Sequence, residues 1–119
     1  EAFGQKLIER ESVQMLLGNA AMNIHTGRLL VMNAAWKLDQ GDFARKEVSM
    51  AKVAVSEALM RVADRCVQVM GGQGVTEDTI VEQVFREIRA FRIYDGPTEV
   101  HKWSLAKKIK RDWKKAHAE

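Results

Sequence analysis

Pro97 is the only proline in this chain. Its ring removes a backbone donor and clashes with the preceding helical turn, which makes proline the strictest limit on helix length. Everything before Pro97 is free of that limit, so helix boundaries there are set by glycine and by hydrophobic spacing. Ala, Leu, Met, Lys, Glu and Arg are abundant, and these side chains lose little freedom in a helix. The chain is therefore expected to be helical throughout.

Apolar spacing marks four stretches. The first runs from about Lys6 to Gln40, with a stripe at Val13, Leu16, Leu17, Ala20, Ile24, Val31, Ala34, Ala35 and Leu38 at the three-to-four spacing of one helix face. Gly18 and Gly27 interrupt it, each at about 1 kcal/mol relative to Ala, and are expected to mark close helix–helix approach. Asp39-Gln40-Gly41-Asp42 ends it. The second stretch, about Phe43 to Met70, carries Val48, Ala51, Val55, Ala58, Leu59, Val62, Cys66 and Val69. It stops at Gly71-Gly72-Gln73-Gly74. The third, about Thr79 to Arg92, opens with a Thr79/Glu82 capping box and buries Val81, Val84, Phe85 and Ile88. The fourth, about Pro97 to Ala116, starts on proline, where the missing N–H is not needed. Its apolar face reads Val100, Trp103, Ala106, Ile109 and Trp113. Short connections between such helices imply an all-α, antiparallel, up-and-down bundle. Val55, Leu59, Val62 and Cys66 are expected to face the first helix, with Trp103 covering one end, and the methionines to fill the core.

At 119 residues the chain suits one domain. No run approaches the roughly 18 apolar residues of a membrane span, and the N-terminus has no signal-peptide pattern. It also lacks an initiator Met, so a single domain trimmed from a larger parent is expected. One cysteine, Cys66, excludes an internal disulfide. The net charge of +3 is local: Lys102, Lys107, Lys108, Lys110, Arg111, Lys114 and Lys115 all lie near the C-terminus. Such a cluster can contact phosphates, but it is more commonly the solvated face of a terminal helix. His25, His101 and His117 have no metal-ligand spacing, and no nucleophile elbow is present.

Two segments carry possible chemistry. Gln68-Val69-Met70-Gly71-Gly72-Gln73-Gly74 is a glycine-rich turn whose backbone N–H groups can meet a phosphate-bearing ligand. It follows a helix instead of a strand and lacks Gly-Lys-Ser/Thr, so it is neither a dinucleotide fingerprint nor a P-loop. On spacing alone a helix C-cap is the more common explanation of such a turn. Ile93-Tyr94-Asp95-Gly96-Pro97-Thr98-Glu99 sets Asp95 just before the fourth helix. That is the position of a capping residue or of a carboxylate held ionised by the helix dipole. The residues alone leave capping and general-base chemistry both open.

These segments, taken with Phe85-Arg86-Glu87-Ile88-Arg89, resemble the end of an acyl-CoA dehydrogenase. The family reads there A/C-V-Q-x-x-G-G-x-G, then an R-D/E-x-R-type helix, then I-Y-E-G-T-x-x-I. The opening Ala2-Phe3-Gly4-Gln5-Lys6-Leu7 is similar to its x-F-G-K-x-L segment. The resemblance covers nearly the whole chain in the expected order. Asp-Gly-Pro-x-Glu-Val-His resembles in particular the branch of acyl-CoA dehydrogenases ten and eleven and their bacterial relatives.

The resemblance implies FAD as cofactor. Gln68, Val69, Gly71 and Gly72 match the segment that cradles the ADP portion of FAD held by a neighbouring subunit, and Phe3 an aromatic lying against that same cofactor. Pro97 and Glu99 match FAD-contacting positions, while Tyr94 and Gly96 match neighbours of the bound acyl group. Asp95 matches the glutamate that removes the substrate α-proton, and its N–H one that polarises the thioester carbonyl. Two departures stand out: Asp95 is one methylene shorter than the usual Glu, and Pro97 replaces the usual Thr.

The same resemblance implies oxidation of acyl-CoA to trans-2-enoyl-CoA with hydride transfer to FAD, a homodimer or homotetramer, and an electron acceptor such as electron-transfer flavoprotein. It implies no nucleic-acid partner and no metal. The expected location is cytoplasmic in a bacterium, or mitochondrial or peroxisomal in a eukaryote, and not secreted. This stretch alone should not catalyse, because much of the flavin and acyl sites would lie upstream. On the residues by themselves, a non-catalytic helical interaction module and a basic helical nucleic-acid binder remain open.

Overall fold

A computed structural model describes residues 1–118. Helix α1 spans Glu11–Asp39, α2 Arg45–Met70, α3 Ile80–Ile88 and α4 Thr98–Ala116. The first helix starts five residues later than the spacing predicts. Leu7–Glu9 form a 3₁₀ turn and Arg10 is extended, so the chain breaks before α1. Ahead of it Ala2 and Gln5 exchange backbone hydrogen bonds across a two-residue turn at Phe3 and Gly4, both in left-handed conformation. Ala44, also left-handed, precedes α2, and its N–H donates to the Asp42 carboxylate. The third predicted stretch divides into α3 and a 3₁₀ turn at Arg89–Arg92. Only half of the capping box forms, with the Thr79 hydroxyl accepting from the Val81 N–H; the Glu82 carboxylate pairs with Arg86 instead.

Helices α1 and α2 run antiparallel. Val55 Cγ2 lies 3.4 Å from where a Gly27 Cβ would stand, Arg61 reaches Asn23, and Lys37 pairs with Glu47 at 2.7 Å. Gly27 therefore permits the close approach expected of it, while Gly18 faces open space. The less exposed face of α1 reads Val13, Leu16, Ala20, Asn23, Gly27, Leu30, Ala34 and Lys37. Its alternating three and four spacing is that of a helix-pair seam.

The buried side chains are almost all small: Ala34, Ala44, Ala51, Ser56, Ala58, Ala63 and Thr98. Large apolar groups predicted to be inside are outside. Leu17, Ile24, Val31 and Leu38 form a second, exposed stripe on α1, and Met22 is 70% exposed. The predicted apolar face of α4 also points outward, with Trp103 63% exposed. Helix α4 instead turns Thr98, His101, Leu105 and Lys108 inward. Leu59, Val62 and Cys66 face Ile80, Val84 and Ile88 of α3, not α1, and Cys66 is exposed beside that open cleft.

The reason is geometric. Small residues let backbones come close, and the large ones then occupy faces that none of the described residues covers. The solvent-accessible area is 8969 Å², against roughly 6,500 Å² for a compact monomer of this mass. The radius of gyration is 18.7 Å and the extents are 70 × 26 × 26 Å, where a compact domain of this length would have a radius near about 13.5 Å. Among the described residues no helix is long and apolar enough to cross a membrane.

Candidate functional site

The predicted site residues fall into two groups set by the two ends of α2. The first group lies on the segment between α3 and α4. Tyr94, Asp95, Gly96, Pro97 and Glu99 enter α4 here, and α2 holds the segment from one side. Lys52 Nζ donates to the carbonyl of Phe91 at 2.7 Å and to that of Gly96 at 2.6 Å. Glu57 accepts from Arg92 Nε and from the Thr98 hydroxyl, each at 2.9 Å. Burial pushes the Glu57 carboxyl up, but the hydrogen bonds from Arg92 and Thr98 and the charges of Arg92 and Lys102 more than offset it. The group ends below its ordinary value of 4.5. Thr98, 4% exposed, plugs the contact between α2 and α4.

Asp95 itself is left-handed at φ 53°, a conformation that costs most L-residues about 1–2 kcal/mol and that aspartate visits more readily. His101 lies one turn into α4, its Nε2 3.0 Å from the carbonyl of Asp95 and its Nδ1 3.3 Å from Ser49 Oγ. A carbonyl only accepts, so Nε2 carries the proton and Nδ1 accepts from the Ser49 hydroxyl. Gly96 is required twice over. Its φ is 92°, and a Cβ there would stand 2.6 Å from His101 Nε2. The Asp95 carboxylate makes no cap on α4, whose N-cap is Pro97 with no side-chain hydrogen bond, and among the described residues the Asp95 N–H has no acceptor. Both polar groups of Asp95 expected to do chemistry are thus free for a ligand.

Asp95 and Tyr94 line one wall of an open groove of about 510 Å³, whose other walls are Val31, Ala34, Leu38, Val48, Ala51 and Val55. Phe91 stacks edge-on against Tyr94 at 5.3 Å. Of the predicted α1 stripe residues that leave the helix seam, Val31, Ala35 and Leu38 line this groove.

The second group is at the far end of α2, some 18 residues and roughly 27 Å from Lys52 at about 1.5 Å per residue. Here Gln68 and Val69 lead into Gly71–Val75, a 3₁₀ turn. The glycines divide by cause. Gly71 caps α2 with φ 59°, as a helix end of this kind requires. Gly74 is packed, since a Cβ would meet the carbonyl of Val67 at 2.5 Å. Gly72 has neither reason: nothing lies within 4 Å of its Cβ position, and its φ is not left-handed. Its bare backbone, beside an exposed Gln68, fits a ligand that approaches the chain closely. Phe3 lies toward this same end, because α1 runs antiparallel to α2; it is 97% exposed with the Arg10 guanidinium 5.8 Å over its ring.

Sequence reasoning missed Lys52, Glu57, Arg92 and Thr98. The only local signal was a polar row at Ser49, Lys52, Ser56 and Glu57 on an amphipathic helix that carries other charges as well. The C-terminal lysines line a basic groove between Arg45-Lys46 and α4.

Comparison with known proteins bears on the whole chain. The profile of the acyl-CoA dehydrogenase C-terminal domain matches residues 1–110. Acyl-CoA dehydrogenase family member 11 of Rattus norvegicus is 42% identical over 109 residues, which are 90% of this chain and 14% of the rat protein. The crystal structure of an acyl-CoA dehydrogenase from Geobacillus kaustophilus superposes with a TM-score of 0.89 at 33% identity, covering 92% of this chain and 29% of that one. An FAD complex of PigA shares the fold at a TM-score of 0.87 and 24% identity, over 92% of this chain and 29% of that one. The chain thus spans less than a third of each of these proteins. Motif order, helical architecture and the match along nearly the full length agree, and this chain belongs to the acyl-CoA dehydrogenase family as its C-terminal domain.

Proposed function

We propose that this domain lends the catalytic base and two cofactor-contacting edges to an acyl-CoA dehydrogenase that oxidises acyl-CoA to trans-2-enoyl-CoA. The observation that carries the reading is the Asp95 turn. A carboxylate in left-handed backbone, with its carbonyl tied down and its N–H and side chain uncommitted, stands at the edge of an apolar groove. Such an arrangement suits a base that must meet a C–H bond of an apolar chain. Asp95 takes the α-proton, and its N–H donates to the thioester carbonyl, which acidifies that proton. The α C–H electron pair becomes the new double bond as the β-hydrogen leaves with its pair. Bound FAD supplies the acceptor for that hydride. Tyr94 and Gly96 flank the acyl group, and Pro97 and Glu99 contact FAD.

Gln68, Val69, Gly71, Gly72 and Phe3 meet the FAD of a neighbouring subunit, Gly72 through backbone that a side chain would otherwise screen and Phe3 through its ring. Two edges roughly 27 Å apart along α2 are what a domain needs to serve its own cofactor and a neighbour's. Assembly as a homodimer or homotetramer also accounts for the uncovered apolar faces. The area in excess of a compact monomer, roughly 2,500 Å², is of the size buried in permanent interfaces. The remainder of the enzyme, including the upstream helical and β domains, covers the rest, and electrons pass onward to an acceptor such as electron-transfer flavoprotein.

The test is Asp95→Asn in the full-length flavoprotein. The variant should keep FAD and bind acyl-CoA, yet lose anaerobic flavin bleaching by several orders of magnitude. Asp95→Glu should retain measurable reduction. Bleaching of the Asn variant close to the parent rate would move the base elsewhere in the enzyme.

A further inference from the structure

We propose that Lys52, acting with His101, is a positioning residue that holds the Asp95 turn in register for proton abstraction; this rests on the reading of Asp95 as the base. The geometry is that of a clamp across the neck of a loop. One ammonium bridges the carbonyls of Phe91 and Gly96, at 2.7 and 2.6 Å, and so closes the segment that carries Tyr94 and Asp95. His101 secures the point between, donating from Nε2 to the Asp95 carbonyl while Ser49 of α2 holds its other nitrogen. Inside the neck the N–H groups of Ile93 and Tyr94 both donate to the Ala90 carbonyl, at 2.9 and 3.1 Å. The Asp95–Gly96 peptide is thereby fixed through its carbonyl, and the Ile93–Tyr94 and Gly96–Pro97 peptides that bracket the turn are held through the Tyr94 N–H and the Gly96 carbonyl, which is what a left-handed aspartate needs if it is not to relax.

The chemistry of the clamp is selective. Lys52 lines the same groove as Asp95, yet among the described residues it forms no ion pair with any carboxylate. An ammonium on the Asp95 carboxylate would stabilise the charged form and blunt it as a base. Spending the donors of Lys52 on two neutral carbonyls fixes the backbone and leaves the carboxylate uncompensated. Charge-assisted bonds of this kind are about twice as strong as neutral ones. A base displaced by about 1 Å can lose roughly 100-fold in rate, so holding the turn acts on the chemical step more than on substrate affinity.

The experiment uses the full-length flavoprotein with Lys52→Met and Lys52→Arg. Lys52→Met removes the donors and keeps the length of the chain. It should retain FAD, bind acyl-CoA within about threefold of the parent, and bleach its flavin some 10- to 100-fold more slowly. Amide exchange at Ile93 and Tyr94 should accelerate while that of α1 stays put. Lys52→Arg, which can donate to both carbonyls, should return both readouts to within a few-fold of the parent. Parent-like bleaching or unchanged exchange in Lys52→Met overturns the proposal, and so does an Arg variant as loose and slow as the Met variant. If Lys52→Met fails to hold FAD, Lys52→Arg decides alone: a tight turn with parent-like rate supports the clamp, and a loosened one overturns it. Asp95→Asn measured in parallel separates the two readings. An Asn variant that still bleaches, beside a Lys52→Met variant with a loosened turn, removes the base assignment and with it the catalytic meaning of the clamp, not its geometry.

Discussion

Gly96→Ala tests the geometry of the Asp95 turn without reference to catalysis. An alanine at φ 92° carries left-handed strain of about 1–2 kcal/mol. Its Cβ would also stand 2.6 Å from His101 Nε2, closer than atoms tolerate, and the imidazole is held at both nitrogens and cannot swing away freely. Displacing it breaks the bonds to the Asp95 carbonyl and to Ser49, at about 0.5–1.5 kcal/mol each. The total expected is about 2–5 kcal/mol of local destabilisation. Native-state hydrogen exchange reads this directly at the Ile93 and Tyr94 amides, which donate to Ala90. Exchange there should accelerate roughly 30- to 3,000-fold, at about 1.4 kcal/mol per factor of ten. In a His101→Ala background the obstacle is gone and only the strain remains, so the same substitution should cost about 1–2 kcal/mol. The difference is the coupling energy of the pair. Equal costs in both backgrounds would refute the contact between Gly96 and His101. A cost near zero in either would refute the left-handed turn.

Gly72→Val addresses the other end of α2. Because nothing lies within 4 Å of the added Cβ, the bundle should stay folded while the full-length enzyme loses FAD; flavin content per folded chain is the measurement, and normal affinity would leave the turn a helix end only. Acid titration addresses Glu57. Its lowered value means stability that is present above the ordinary 4.5 and lost as pH falls through the folded-state value below it. Thermal midpoints of the parent and Glu57→Gln, followed from neutral pH to about pH 3, should differ most above 4.5 and converge below. Curves that stay parallel would show that the carboxylate gains nothing from Arg92 and Thr98.

What the sequence by itself determined is how the chain divides into helical stretches, and which residues carry a family pattern. The absence of proline before residue 97 and the glycines after Gln40 and Met70 act locally, through a few neighbouring dihedrals, so they were legible. The ends of helices were less so. Arg10 and Ala44 break the chain with no proline or glycine to announce it, and the tail of the third stretch tightens into a 3₁₀ turn. The tertiary structure decided which face of each helix is inside. Spacing reports that Trp103, Ile109 and Trp113 share a face, but not what covers it, and within this chain the seams are made by Gly27, Ala34, Ala51, Ala58 and Thr98 instead. A large apolar stripe on a domain that belongs to a bigger assembly can serve surfaces beyond its own bundle, and periodicity cannot distinguish the two. The support of the candidate site was equally invisible. Lys52, Glu57 and Ser49 meet their partners 35 to 52 positions away, and a hydrogen bond between such distant residues exists only once α2 has brought the Asp95 turn alongside.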